Sequence, residues 1–71
     1  MIYPIEGWQR IDSTTDQFYR DGVMVGCVSS SYGVGAELPD FHPWAGRVRI
    51  DGRFDSLESA RVAVERRLVN P

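Results

Sequence analysis

The sequence predicts a small α+β domain, an antiparallel sheet of three or four strands packed against one C-terminal helix, and three observations carry that expectation. Residues 55–69 repeat apolar side chains at helical spacing along one stripe. The chain before them holds short alternating segments of strand-forming residues. Between two of these segments stands Asp21-Gly22, the dipeptide a two-residue hairpin turn demands. At 71 residues the chain is a single domain, near the lower limit at which one core suffices without a disulfide or a metal.

The elements follow in order. Residues 1–7 form an extended lead-in containing Pro4 and Gly7, with Ile2, Tyr3 and Ile5 expected over one end of the core. Residues 8–11 are a candidate first strand whose alternation leaves open which face is buried, and residues 12–16 are a polar turn. A strand region spans residues 17–31. Asp21 and Gly22 supply the positive φ values of a type I′ turn, after which Val23, Val25 and Cys27 share one face and Met24 and Val28 the other, with Gly26 weakening or bulging the strand.

Residues 32–46 hold Gly33, Gly35, Gly46, Pro39 and Pro43, a density that predicts a long loop without a continuous regular element. A second strand region, residues 46–54, places Val48 and Ile50 inward and Arg47 and Arg49 outward, with Phe54 beneath the start of the helix. The helix begins at Asp55 or Ser56. Asp55 can cap the first turn, with Glu58 reaching back to its amide. Leu57, Ala60, Val64 and Leu68 form the apolar stripe, Ala63 lies at its edge, and Glu58, Ser59, Glu65 and Arg66 lie opposite.

Composition narrows the function classes. Cys27 is the only cysteine, which excludes an internal disulfide and suits a reduced, cytoplasmic setting. The amino terminus lacks the basic and apolar regions of a secretion signal, and no apolar run of about 18 residues is present to span a membrane. The net charge of −2 divides unevenly. Residues 1–46 carry six acids and two arginines; residues 47–71 carry six arginines and four acids. All eight basic residues are arginine, which reads as genomic composition, since nucleic-acid binders carry a basic excess that this chain lacks.

Catalytic and metal motifs are weak. Ser29, Ser30 or Ser31 with His42 and Asp40 could supply a nucleophile, a base and an orienting carboxylate, but no strained elbow presents the serine. Cys27, His42, Glu37 and Asp40 lack the paired spacing of a metal shell. Gly33-Val34-Gly35 matches half of a dinucleotide fingerprint, without its third glycine or a following helix. No enzyme, metal or cofactor is expected.

The loop aromatics stand out. Tyr32, Phe41 and Trp44 either anchor a partner or fold back onto an undersized core. With Glu37 and Asp40 they make the expected partner-binding set, within an acidic surface that also includes Asp12, Asp16 and Asp21. Arg47, Arg49 and Arg53, beside the Trp44 ring, are the alternative, a nucleic-acid-binding strand face. Val62 and Val69, one heptad apart on the polar side of the helix, mark a candidate homodimer contact.

Two resemblances bear on this. The Gly52-Arg53-Phe54 turn, the helix after it and the preceding Trp44 and Arg47 to Ile50 strand resemble the AP2-type and integrase arm-type DNA-binding domains, in which a tryptophan strand leads to a glycine-phenylalanine turn and an alanine-rich helix. In size and style the chain is also similar to short phage and mobile-element proteins, including anti-CRISPR proteins. That resemblance implies a non-enzymatic protein that blocks a host nucleoprotein complex by occupying its surface. The expected function is accordingly a protein-interaction module, with nucleic-acid binding as the alternative and no membrane partner.

Overall fold

The computed structural model describes residues 5–69 as five strands and one helix: β1 (Gly7–Asp12), β2 (Thr15–Arg20), β3 (Val23–Ser31), β4 (Asp40–Ala45), β5 (Val48–Arg49) and α1 (Leu57–Val69). The strands form one antiparallel sheet in the order β1-β2-β3-β4-β5, each pairing with its neighbour in sequence. The α+β class is as expected. The strand count is five, not three or four. Of the lead-in, Ile2 and Tyr3 lie outside the described residues, and Ile5 is half exposed.

The β2–β3 turn has the expected chemistry, with φ of 51° at Asp21 and 77° at Gly22, both in the left-handed region a type I′ turn requires. Beyond it the alternation on β3 does not run as expected. Phe18 pairs with Gly26 but Tyr19 pairs with Met24, so Val25 is the extra residue of a bulge. The bulge puts Met24 on the Cys27 side, while Gly26 and Val28 are buried on the helix side.

A strand also occupies the predicted loop. β4 runs straight through Pro43, and the register gives the reason. Pro43 sits opposite Val28, while its carbonyl accepts from the Ile50 amide on the other side (3.0 Å). In an antiparallel strand a residue's N and O point the same way, so the donor that proline lacks faces the short β5 side and costs the β3–β4 ladder nothing. Only residues 32–39 remain loop. The expected strand over 46–54 shortens to two residues, joined through Gly46 (φ 61°), plus one bridge from Phe41 to Phe54. Val48 lies opposite Ala45 at the sheet edge and stays exposed rather than inward, whereas Ile50 does pack against the core.

The helix start is also shifted. Ser56, not Asp55, is the cap: its Oγ accepts from the Ser59 amide (3.1 Å), while the Ser59 hydroxyl donates to the Ser56 carbonyl (3.0 Å) rather than accepting from the cap's amide as expected of Glu58. α1 lies across β3 and β4. Ala60 and Val64 are fully buried against Val28, with Leu57, Leu68, Phe41, Ile50, Phe54 and Trp8 packed around them. The helix comes close to the sheet because residue 26 is glycine; a Cβ there would lie 2.5 Å from Val64 Cγ1. The opposite face of the sheet has no element over it among the described residues.

Candidate docking surface

The meander sets the β1–β2 turn and the β3–β4 loop at one end of the sheet, where the Ser30 amide donates to the Thr14 carbonyl (2.8 Å). Asp12 organises the shorter of the two. Its Oδ1 accepts from the Thr14 amide (2.8 Å) and the Thr14 hydroxyl (3.0 Å). These bonds, the backbone one foremost, hold the Asp12 carboxyl below its ordinary range.

In the longer loop the Ala36 amide donates to the Gly33 carbonyl (3.0 Å), and Gly35 takes a φ of 74°. Those are the marks of a type II turn with Val34 at its outer corner and glycine where positive φ is required. The Gly-Val-Gly motif is thus a turn that pushes an apolar side chain into solvent. Tyr32 is 67% exposed, Leu38 75%, and Val34 fully so. Glu37 is exposed among them, and Asp40 stands at the base of the loop, 3.8 Å from Arg53 across a surface ion pair. Three large apolar groups and a carboxylate therefore project together from one short segment.

The other expected partner residues lie elsewhere. Phe41 faces the helix side and packs on the core, so it lines the base of the loop rather than its tip. Trp44 is half-buried on the uncovered face of the sheet, paired with Cys27 on one side and Arg49 on the other. Burial of Cys27 beside it pushes the thiol above its ordinary value. The three arginines of the alternative site are not one surface either. Arg47 is in the β4–β5 turn, Arg49 is on the uncovered face, and Arg53 is tied to Asp40 beside the loop. Val62 and Val69 are exposed along the outer side of α1.

His42 joins Arg49 to Ser31. Its Nε2 is 2.9 Å from Ser31 Oγ, the separation of a nucleophile and its base, and its Nδ1 is 2.9 Å from Arg49 Nη2. A triad has a carboxylate at that second position. A guanidinium can only donate, so Nδ1 accepts, the neutral ring carries its proton on Nε2, and Ser31 Oγ receives it. The polarity is the reverse of a general base drawing a proton from serine. Among the described residues no group of three or more His, Cys, Asp or Glu is placed to hold a metal ion.

The expected acidic surface does not form. Asp16 is 1% exposed, covered by the Arg61 side chain reaching from α1, which holds its Oδ2 through Nε (3.1 Å) and Nη2, and Arg10 stands 3.6 Å from Oδ1. Asp21 is at the opposite end of the sheet from Asp12 and Glu37. Around Asp16 the sheet and helix are joined by polar contacts that the chain's periodicity does not announce. The Arg61 guanidinium lies 5.2 Å from the Trp8 ring centre, Trp8 stacks on Phe18 at 4.9 Å, and Trp8 Nε1 donates to Glu65 Oε1 (3.0 Å). Glu65, expected on the solvent side, is thus turned toward the sheet. The one signal for this cluster is that Asp16 shares strand parity with buried Phe18.

The fold and this surface define a class of molecule: a five-stranded meander braced by one helix and carrying a projecting apolar loop. No family model matches the chain, and neither a curated protein nor a solved structure matches it. Among the described residues no helix is long and apolar enough to cross a membrane.

Proposed function

We propose that this chain is a non-enzymatic interaction module that docks onto a protein partner through its β3–β4 loop. The observation that carries the reading is the exposure of Tyr32, Val34 and Leu38 together in that loop. Leaving such groups in water is unfavourable unless a partner covers them, and aromatic and aliphatic anchors ringed by polar groups are the usual make-up of a binding hot spot. Glu37 within the loop favours a partner of basic character, because opposite charge steers encounter while the apolar groups slow release. In its sharpest form the reading is of a phage or mobile-element inhibitor, like the anti-CRISPR proteins, that occupies a basic groove of a host nucleoprotein complex.

The test is affinity capture from host lysate with nuclease added, comparing the native chain with a Val34→Ser, Leu38→Ser, Glu37→Lys variant. A protein retained by the native chain and lost by the variant, with both melting alike, is the expected result. Equal capture by both would overturn the assignment of the loop.

One observation favours a second reading. Trp44 and Arg49 are cross-strand partners on the uncovered sheet face, a ring for stacking beside a cation for phosphate. On that reading binding falls steeply with salt and is lost in Arg49→Ala, whereas the loop variant binds normally.

A further inference from the structure

We infer that the outer face of α1 is a self-association surface, on which two copies pair their helices antiparallel about a twofold axis at Val62, Glu58 of each meeting Arg66 of the other. Val62 is two residues from both Ala60 and Val64, the two fully buried positions of α1, so it points almost directly away from the sheet. Beside it runs a groove of about 440 Å³ lined by Phe54, Glu58, Ser59, Val62, Ala63 and Arg66. The small side chains of Ser59 and Ala63 let a second helix approach, and Phe54 gives the groove an apolar wall.

Charge selects the occupant and its direction. Glu58 lies four residues before Val62 and Arg66 four residues after it, and neither joins an ion pair within the chain among the described residues. In an antiparallel pair centred on Val62, positions equally spaced before and after the axis face each other. Glu58 then meets Arg66 twice, and Val62 meets Val62 between them. A parallel pair would set Glu58 on Glu58 and Arg66 on Arg66, which like charges oppose. The contact differs from the expected heptad in one respect: Val69 falls opposite the Asp55 end of the second helix, at the rim. One helix from each copy is a small interface, so the dimer is weak and forms at high protein concentration. None of the groove's lining residues belongs to the β3–β4 loop.

Sedimentation equilibrium of the full chain, from micromolar to millimolar, tests this. The native chain is expected to show a monomer–dimer equilibrium that Val62→Arg abolishes. Glu58→Arg alone and Arg66→Glu alone each repel themselves at both contacts and weaken the dimer by about tenfold or more. Mixed in equal amounts they recover native affinity, because every contact in the mixed dimer pairs opposite charges. Both positions are exposed, and circular dichroism confirms the fold of each variant. The proposal is overturned if the native chain stays monomeric throughout, if a dimer forms that Val62→Arg leaves intact, as pairing through the β1 edge would, or if mixing restores nothing.

Discussion

Gly26→Ala is the most demanding test of how the helix sits on the sheet. The added methyl would stand 2.5 Å from Val64 Cγ1 and 3.0 Å from the Trp44 carbonyl oxygen. Carbon atoms in ordinary contact are about 3.5–4.0 Å apart, so the first distance is short by roughly 1 Å. Neither neighbour can give way. Val64 is fully buried and β-branched, which leaves it essentially one χ1 in a helix, and the Trp44 carbonyl belongs to the β3–β4 pairing.

Relief therefore requires lifting α1 away from Val28, at a cost of about 2–3 kcal/mol, from which the lower chain entropy of alanine returns roughly 0.5. A domain of this size is held by roughly 4–10 kcal/mol in total, so the melting temperature should fall by about 10–15 °C. Thermal and urea denaturation of Gly26→Ala, Val64→Ala and the double variant measure this. Val64→Ala removes the methyl that the new Cβ strikes. The double variant should then be more stable than the sum of the single losses by at least about 1 kcal/mol. A Gly26→Ala protein melting within about 2 °C of native, or strict additivity in the double, would refute the close approach.

Two further outcomes follow from the polar contacts. Asp16→Ala leaves the Arg61 guanidinium without its carboxylate and should cost about 2–3 kcal/mol, less than breaking a fully buried pair because 34% of the Arg61 side chain is exposed. Asp16→Leu with Arg61→Leu should be closer to native than Asp16→Ala in urea titrations, and the reverse order would count against the pair. Cys27 should react with iodoacetamide more slowly in the folded chain than in urea, because burial raises its pKa above the ordinary 9.0. A group whose folded pKa is raised contributes stability that is intact below its unfolded value and declines as pH rises past it. The native chain should accordingly lose more stability above about pH 9 than Cys27→Ala, and parallel pH profiles for the two would contradict the burial of the thiol.

What could be read from the sequence was local. Asp21-Gly22 specifies its turn with two residues, and the Leu57, Ala60, Val64, Leu68 stripe specifies a helix face without reference to the sheet. What could not be read depends on distant partners. Whether Pro43 tolerates a strand rests on which side its missing donor faces, and that is decided by β3 and β5 together. Asp16 looks like a turn acid until Arg61, 45 positions away, covers it, and Glu65 looks exposed until Trp8 reaches it. At the loop, Tyr32 and Glu37 stand out by residue type. Val34 and Leu38 do not, because exposure of an aliphatic side chain is set by the turn that holds it.

The strand order has a consequence for how the molecule forms. Since each strand pairs only with its neighbours in sequence, the sheet can zip hairpin by hairpin from local contacts, a topology that favours rapid folding. The helix is the last of these elements along the chain. Until its 13 residues arrive, Phe18 and Val28 lie on an open surface beside a hydrated Asp16, which makes the bare sheet both unstable and slow to stick to its neighbours. Docking of α1 converts that carboxylate from a solubilising charge into a lock, so the residue that guards the unfinished chain is the one that fastens the finished fold.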